Sequence, residues 1–333
     1  MKVLIIRCGA LGDLVYATSV IDALKMEFGE KTIIDFVCTP GSGTLFDNDP
    51  RVNQVFPLKH KKIPILLSSQ KKSIIDFSKK NPYDILINFE FGHQFKSLVS
   101  RIHATKKVGA FFDKLTFPSN IKHMVEITKY IFKPLVSQDV YKKSFPHIIG
   151  ISSDKIKKKY NLHQKYLIVS PSNSHQKKDR LNHRAWINQN WIELIEKLSQ
   201  DIQVIIIGNK NEDDFFNKLK PYPDNVIDLV AKTSLSELIG VIDGAAGLIA
   251  TDTGTAHLAS ALNTEVFALI GPTPADVTGP YKTPYNKVHI ISSHKECAPC
   301  YKTDVMKKCK DNICMKDIST GMVLQTIYSA KIL

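Results

Sequence analysis

Residues 247 to 262 constrain the fold of this 333-residue chain more than any other stretch. The first of them are apolar, as in a buried strand, and a tight turn at Asp252 to Gly254 leads into a helix rich in small residues. Such a strand, turn and helix direct free backbone N–H groups and the positive end of the helix dipole at one point, which suits a phosphate. The pattern is equally typical of an ordinary capped helix, with Asp252 or Thr253 as the N-cap and His257 packed in the core.

Apolar strands, glycine turns and helices alternate along the rest of the chain. The run from Lys2 to Arg7 is expected to be a buried strand, and a similar run from Tyr166 to Ser170 follows a basic, polar stretch. Strands that alternate with helices predict parallel sheets covered by helices. We therefore expect an α/β chain with two Rossmann-like, doubly wound domains at residues 1–160 and 161–315. An amphipathic last helix at 316–333 is expected to pack back towards the first domain.

Asp13 lies where the first strand meets its helix. In open α/β folds the chemistry is placed at this carboxyl edge of the sheet, so Asp13 is a candidate catalytic residue. Its alternative role is that of a first-turn carboxylate that interacts favourably with the helix dipole. The turn contains only Gly9-x-x-Gly12. Because neither domain's first strand is followed by Gly-x-Gly-x-x-Gly, a NAD-dependent oxidoreductase is disfavoured.

The charge of the chain indicates an anionic partner. It has 45 lysines and arginines against 32 acidic residues, a formal net charge of +13. This charge attracts nucleic acid, an anionic membrane face or a phosphorylated substrate. The lysine runs lack the interleaved aromatic residues of a nucleic-acid stacking surface, so we expect no nucleic-acid partner. Residues 59–80 combine lysines with apolar residues, which is typical of a surface resting on anionic lipid and of a helix packed on the sheet; we favour the helix.

The sequence shows no apolar run long enough to cross a bilayer, and its first residues are interpreted as a strand and not as a signal peptide. We therefore expect a cytoplasmic protein.

Four cysteines lie together near the end of the chain, in the pattern Cys297-x2-Cys300-x8-Cys309-x4-Cys314. The CxxC half is typical of a tetrathiolate site for structural zinc or iron. The alternative is four thiols packed in an irregular loop, because the second pair is not CxxC. Disulfides are disfavoured in a cytoplasmic protein. Since the cysteines lie outside the phosphate turn, either interpretation gives them a structural role.

With these features together, the chain resembles glycosyltransferase family 9, the bacterial ADP-heptose:lipopolysaccharide heptosyltransferases, over nearly its whole length. The opening strand with Gly12-Asp13 and the Asp-Thr-Gly-x-x-His element are the specific parts of the resemblance. The supporting motifs are Asn48-Asp49-Pro50-Arg51-Val52, Tyr83-Asp84-Ile85-Leu86-Ile87, Arg184-Ala185-Trp186, Gly208-x-x-x-Glu212 and Gly271-Pro272-Thr273. The cysteine tail also looks like one found in part of this family.

The resemblance implies a GT-B architecture, with two Rossmann-like domains facing a central cleft. The carboxyl-terminal domain would bind the nucleotide sugar and the amino-terminal domain the acceptor. The resemblance further implies an inverting, metal-independent transfer that requires no cofactor for catalysis. Asp13 would be the general base, and Glu212 would accept hydrogen bonds from the ribose hydroxyls. The donor diphosphate would lie at the second-domain turn formed by Asp252, Thr253, Gly254 and His257.

One position departs from the family pattern. Arg184 stands ahead of Trp186 where the family usually has lysine. Arginine keeps the positive charge and can bind a phosphate through two N–H groups, but it does not replace lysine without consequence. We retain Arg184 as a donor-binding residue, with Lys177 or Lys178 as the alternative source of the amine.

The expected function is heptose transfer from ADP-heptose to a phosphorylated glycolipid acceptor of the lipopolysaccharide inner core. The basic surface would favour peripheral contact with the anionic inner face of the bacterial inner membrane. A family 9 transferase that uses a different nucleotide sugar, or a protein or capsule acceptor, remains an alternative. A non-catalytic, metal-bearing scaffold is a further alternative, in which Asp13 would be dispensable.

Overall fold

The structure, a computed structural model, describes residues 1–59, 63–173, 181–210 and 212–333. The chain divides into two compact units, Met1–Gly150 and Ile151–Leu333, and each contains one parallel sheet. The division precedes helix α8 (Ser153–Tyr160), which the predicted boundary left in the first domain. Because α8 packs against helix α11 (Leu235–Asp243), it belongs to the second unit.

The first sheet has five strands in the order β3-β2-β1-β4-β5. The apolar residues of β1 are buried on both faces of the sheet, which is why this strand lacks polar alternation. Along the chain, β2 and β3 extend the sheet on one side of β1, and β4 and β5 then extend it on the other side. The direction of the connections therefore reverses between β1 and β4. The strands are β1 Lys2–Ile6, β2 Ile33–Cys38, β3 Gln54–Pro57, β4 Tyr83–Asn88 and β5 Ala104–Gly109.

Seven helices of the first unit lie among the described residues. The first two of them, Leu11–Ala17 and Ser19–Phe28, meet at Thr18. The Thr18 hydroxyl donates a 2.7 Å hydrogen bond to the Val15 carbonyl, and this local bond competes with regular helical bonding. The helices are α1 Leu11–Ala17, α2 Ser19–Phe28, α3 Pro40–Gly43, α4 Ser69–Lys80, α5 His93–Arg101, α6 Met124–Phe132 and α7 Gln138–Lys143.

Helix α4 supports the favoured interpretation of residues 59–80. Ser68 caps the helix, because its hydroxyl accepts a hydrogen bond from the Lys71 backbone N–H at 3.2 Å. Ile74 and Ile75 point inwards and join the core that covers one face of the first sheet. Within the helix, Lys72, Lys79 and Lys80 are exposed.

The second sheet has six strands in the order β11-β10-β9-β6-β7-β8, and its paired neighbours are all parallel. Its connections reverse between β6 and β9. The strands are β6 Tyr166–Ser170, β7 Gln203–Ile206, β8 Val226–Asp228, β9 Gly247–Thr251, β10 Val266–Leu269 and β11 Val288–Ile291.

The helices of the second unit cover this sheet. Trp186 and Trp191 form an edge-to-face pair in its core, with ring centroids 4.7 Å apart, and the Trp186 indole N–H donates to the Ile318 carbonyl at 2.7 Å. In addition to α8 and α11, the described helices are α9 Asn188–Asp201, α10 Asp213–Asn217, α12 Gly254–Ala261, α13 Ala275–Thr278, α14 Asp304–Lys308, α15 Ile313–Lys316 and α16 Thr320–Ser329.

The last helix, α16, packs within the second unit. It lies against α9, β10 and β11, and buries Val323, Leu324 and Ile327. Its expected return towards the first domain stays a prediction. In the part of the chain that the structure describes, no helix combines the length and the apolar character needed to span a membrane.

Candidate active site

The two sheets place the predicted site residues at their switch points. In open parallel sheets, ligands bind outside the carboxyl ends of the strands, where the order of connections reverses. In the first sheet this point lies between β1 and β4; β1 is followed by Asp13 in the first turn of α1, and β4 by Glu90. In the second sheet it lies between β6 and β9, which are followed by Ser172 and Asp252.

Asp13 lies in the first turn of α1 and is held through both carboxylate oxygens. Its Oδ1 accepts a hydrogen bond from Arg7 Nη2 at 2.8 Å, and its Oδ2 accepts one from the Ala10 backbone N–H at 3.0 Å. The side chain is still 37% exposed. Asp13 is therefore fixed in orientation and remains accessible to a substrate hydroxyl, as a general base requires.

Gly9 allows this position of Asp13. A Cβ atom at residue 9 would lie 2.5 Å from the Asp13 Cβ and 2.6 Å from its Oδ2, closer than real side chains approach. The Gly9 carbonyl also accepts a 3.2 Å hydrogen bond from the Thr39 hydroxyl, which ties the turn to the end of β2. The turn thus needs a glycine in order to bring the carboxylate over the end of β1.

Arg7 is a site residue that sequence reasoning quoted only as part of the opening motif. Its guanidinium bonds to Asp13, donates to the Phe89 carbonyl at 3.2 Å and lies 3.7 Å from Glu90 Oε1. The same Glu90 oxygen accepts the Cys8 backbone N–H at 2.7 Å. One largely buried arginine therefore joins the loops after β1 and β4. The signal for it was a basic residue directly after the central strand.

The predicted phosphate turn joins β9 to α12. Thr253 occupies the N-cap position with an extended backbone (φ −150°, ψ 165°), and within the described structure its side chain accepts no capping hydrogen bond. The Thr255 hydroxyl lies 2.9 Å from the Ser170 hydroxyl at the end of β6. His257 is buried one turn into the helix. The amino terminus of α12 consequently offers its backbone N–H groups at the switch point of the sheet.

Asp252, predicted to bind the donor, is largely engaged by the protein itself. Its Oδ2 accepts the Thr273 hydroxyl at 2.7 Å and lies 3.3 Å from Arg184 Nη1. The side chain is 8% exposed, so this carboxylate is a buried, paired anion. Asp252 thus connects the turn after β9 with the turn after β10 and with Arg184, a geometry suited to positioning the neighbouring groups.

Arg184 lies at this same corner of the second sheet. Its Nη1 contacts Asp252, and its guanidinium carbon is 4.6 Å from the centroid of the Tyr301 ring. The arrangement puts a fixed cationic group next to the turn that precedes α12, where a diphosphate would be attracted. Lys177 and Lys178, the alternative amine donors, lie outside the described residues.

Glu212 follows β7 on the same edge of the sheet. Its Oε2 accepts hydrogen bonds from the Ser172 hydroxyl at 2.8 Å and from the Asn209 backbone N–H at 2.9 Å. The preceding turn passes so close to Phe216 that a Cβ at Gly208 would lie 2.1 Å from its ring. A carboxylate held in this way can accept hydrogen bonds from ligand hydroxyls.

Comparison with known proteins shows the family of this chain. The family model described as Glycosyltransferase family 9 (heptosyltransferase) matches residues 83–310, more than half of the chain. The chain belongs to glycosyltransferase family 9. The lipopolysaccharide heptosyltransferase 1 of Campylobacter coli is 26% identical to this family 9 chain, with 98% of each covered.

Solved structures of similar proteins agree with the observed fold. The ADP-heptose lipopolysaccharide heptosyltransferase II of Escherichia coli superposes with a TM-score of 0.76 at 17% identity, over 99% of this chain and 98% of the other. The E. coli heptosyltransferase WaaC with ADP superposes with a TM-score of 0.71 at 18% identity, over 99% of each chain. The predicted α/β class and GT-B fold, with two Rossmann-like domains, are confirmed.

Each unit of this family 9 chain thus has its own group of candidate site residues. In the second unit the structure brings Arg184 and Asp252 together, and it places Glu212 on the same sheet edge. In the first unit it places Asp13 beside Arg7 and Glu90. The catalytic and donor-binding roles of the predicted residues stay predictions.

The four clustered cysteines differ in their surroundings. Cys300 and Cys314 are buried, Cys297 is exposed, and the Cys309 thiol donates to the Asp311 carbonyl at 3.2 Å. Burial, with a smaller contribution from the neighbouring thiols, raises the pKa of Cys314 to about 11.

These thiols are the candidate ligands for the predicted zinc or iron. Four thiols are a suitable donor set for either ion. Among the described residues, however, no three histidine, cysteine or acidic side chains converge as a group of metal ligands. The geometry therefore does not support a metal centre, and metal binding stays a prediction.

Proposed function

We propose that this chain is an inverting glycosyltransferase that moves heptose from ADP-heptose to an acceptor of the lipopolysaccharide inner core. The observation that carries the proposal is that each unit has a candidate site at the switch point of its own sheet, and that the two sites differ in chemistry. One presents an accessible carboxylate, Asp13, and the other a helix amino terminus beside Arg184. The relatives named above, a lipopolysaccharide heptosyltransferase and a heptosyltransferase with ADP, support this choice of acceptor and donor.

Asp13 is the general base of the proposed reaction. The acceptor hydroxyl attacks the anomeric carbon of the heptose while Asp13 takes its proton. The bond from that carbon to the ADP oxygen breaks, and ADP leaves with the electron pair. Because the hydroxyl approaches from the face opposite ADP, the anomeric configuration inverts. Arg7 and the Ala10 N–H keep the carboxylate in one orientation throughout the reaction.

The second unit stabilises the leaving group in this proposal. Backbone N–H groups at Gly254 and Thr255, the buried His257 and the Arg184 guanidinium act on the diphosphate, whose negative charge grows as the bond breaks. Glu212 accepts hydrogen bonds from the ribose hydroxyls, with its Oε2 already held by Ser172. This positive environment supplies charge stabilisation from the protein itself, so the proposed transfer is metal-independent.

Nucleotide binding is the first experiment. Calorimetric titration of the full chain with ADP, UDP, GDP and NAD should show selective binding of ADP. Selective binding of UDP or GDP would favour the alternative of a family 9 transferase with a different nucleotide sugar, and binding of NAD alone would favour an oxidoreductase. A chain that binds none of them would favour a scaffold.

Turnover tests the role of Asp13. With ADP-heptose and a deacylated inner-core acceptor, Asp13→Asn should release ADP at least about 100-fold more slowly while binding ADP as the wild type does. Asp76→Asn, a surface change on α4, is the matched control and should retain full activity. Unchanged turnover in Asp13→Asn would exclude it as the base. Transfer to a protein or capsule oligosaccharide in place of the inner-core acceptor would support the alternative acceptors.

We also propose peripheral contact with the anionic, cytoplasmic face of the inner membrane. Leu66 and Leu67 are each 77% exposed at a turn that precedes α4, and Lys59 and Lys72 are exposed nearby in the sequence. The buried Lys71 amine donates to the Ile63 carbonyl at 2.7 Å and fixes the turn. Apolar side chains flanked by lysines suit the boundary between headgroups and acyl chains.

Vesicle sedimentation tests this contact. The wild type should sediment with vesicles containing phosphatidylglycerol and not with pure phosphatidylcholine, and about 0.5 M salt should weaken the binding. Replacing Leu66 and Leu67 by serine should reduce sedimentation. Tyr285→Ser, which removes a 69% exposed aromatic residue from the second unit, is the control. Equal sedimentation of the double variant and the wild type would exclude this turn as the contact.

For the four cysteines we propose a structural role that takes no part in the transfer. Elemental analysis of the purified protein measures whether zinc or iron is bound. About one ion per chain that is lost in Cys300→Ser and kept in Cys38→Ser would support the tetrathiolate prediction. Metal-free, folded protein would support the alternative of packed thiols.

A further inference from the structure

The segment from Cys297 to Cys314, called here the cysteine segment, contacts the turn that carries Arg184. The Tyr301 ring lies 4.6 Å from the guanidinium carbon of Arg184, within the range of a cation–π contact. The Arg184 side chain is 14% exposed, and its Nη1 lies 3.3 Å from the Asp252 carboxylate. Its Nε is buried and has no hydrogen-bond partner among the described residues, so the guanidinium still has donor capacity.

The backbone of the Arg184 turn is tied to the same segment. The Asn312 side-chain amide donates to the Ala185 carbonyl at 2.8 Å and to the Asn182 carbonyl at 3.3 Å. Each bond joins residues more than a hundred positions apart in the sequence, and the two acceptor residues lie on either side of Arg184 in the chain. Asn312 is 5% exposed, so they are shielded from water.

The cysteine segment is also anchored to the turn after β10. The Pro272 carbonyl accepts the backbone N–H groups of Cys300 and Tyr301, both at 2.9 Å. Thr273, the next residue of that turn, donates to Asp252. The contacts thus form a closed ring. They run from Asp252 to Arg184, from Arg184 to Tyr301, and from Tyr301 through the turn after β10 back to the Asp252 carboxylate.

We propose that the cysteine segment is a clamp for the donor diphosphate site, with Tyr301 and Asn312 as positioning residues that act through Arg184. The inference rests on the proposed function, since it requires a nucleoside diphosphate at the α12 turn. A free arginine side chain loses rotamer freedom when it binds a phosphate. The Tyr301 ring and Asp252 already restrict the Arg184 side chain to one orientation before the ligand binds. Because the Tyr301 ring packs on the guanidinium and Nη1 faces Asp252, the cation is held in one orientation with other N–H donors left for phosphate.

The clamp is tested by comparing ADP with adenosine, which lacks the phosphates that Arg184 would bind. Tyr301→Leu should bind ADP about fivefold to tenfold more weakly than the wild type, while its adenosine affinity stays unchanged. Tyr301→Phe retains the ring and should bind ADP as the wild type does. In the Arg184→Gln background, Tyr301→Leu should cause no further loss, because the two residues act as one unit.

Asn312→Leu is the second variant, and it should show the same loss of ADP affinity with adenosine affinity unchanged. Equal losses for ADP and adenosine in both variants would indicate a merely structural role and overturn the clamp. Wild-type ADP affinity in folded Tyr301→Leu would also overturn it and leave the proposed function standing. A wild-type chain that binds adenosine and ADP equally, or neither, would overturn both proposals.

Discussion

At the scale of single residues, the Arg7 guanidinium forms ion pairs with both Asp13 and Glu90. Its side chain is 12% exposed and that of Glu90 is 14% exposed. We expect Arg7→Met to destabilise the first unit by about 3 kcal/mol, because it leaves a carboxylate in a largely buried position without its cation. Urea unfolding measures this change. Turnover should fall as well, because Asp13 loses the donor to its Oδ1.

A companion variant separates charge from geometry at this position. Arg7→Lys keeps the positive charge but cannot reach both carboxylates and the Phe89 carbonyl with one planar group. It should recover part of the stability that Arg7→Met loses and little of the turnover. If Arg7→Met unfolds at the same urea concentration as the wild type, the ion pairs contribute nothing measurable and the prediction fails.

Gly9 offers a second test at this scale. A methyl group at this position would meet Asp13 at 2.5 Å, so Gly9→Ala must displace the carboxylate. We expect turnover to fall about 10- to 100-fold, because a small misplacement of a catalytic group is costly, with ADP affinity unchanged. Gly41→Ala is the matched control in the same unit, because a Cβ there would have nothing within 4 Å. Equal turnover in the two variants would contradict the proposed role of the Gly9 turn.

At the scale of elements, the capping of α11 gives a prediction about pH. Ser234 and Glu237 form a capping box, with the Glu237 carboxylate accepting the Ser234 backbone N–H at 2.8 Å. The hydrogen bond from Lys159, followed by that from the Ser234 backbone, lowers the pKa of Glu237 to about 2.

Since this folded-state pKa lies below the usual carboxyl value, the stabilisation is present above about pH 4.5 and is lost as the pH falls towards 2. Glu237→Gln should therefore be less stable than the wild type at neutral pH, and the difference should close with acidification through that window. Urea unfolding at several pH values measures the difference. The exposed Glu196→Gln is the control. A gap that stays constant down to pH 3 would contradict the prediction.

The elements also show what the sequence could predict and what it could not. Strand and helix alternation is a local signal, so the two parallel sheets and the turn between β9 and α12 follow from it. The break between α1 and α2 does not, because it depends on one hydroxyl of Thr18 and its bond to Val15. The boundary at residue 150 depends on α8 packing on α11, a contact between segments far apart in the chain.

The candidate site shows the same limit. Asp13 and the donor turn could be named from motifs, because each motif is contiguous in sequence. The residues that orient Asp13 and the donor turn could not be named from the sequence. Arg7 meets Glu90 across the sheet, and Arg184 meets Tyr301 across more than a hundred residues. The sequence also gives no sign that the Asp252 carboxylate accepts a hydrogen bond from the Thr273 hydroxyl.

At the scale of the whole molecule, all predicted donor-binding residues lie in one compact unit, Ile151–Leu333, and Asp13 lies in the other. A ligand stabilises the part of the protein that binds it, by about 2.7 kcal/mol at a concentration 100 times its dissociation constant. For a unit of this size that corresponds to an increase in Tm of about 5 to 10 °C. We therefore expect calorimetric unfolding in two transitions, and ADP should raise the temperature of only one of them.

Two variants assign these transitions. Arg7→Met should lower the temperature of the other transition, which assigns each transition to its unit, and Arg184→Gln should reduce the effect of ADP. If ADP raises the temperatures of both transitions equally, the assignment of the donor site to the second unit alone is wrong.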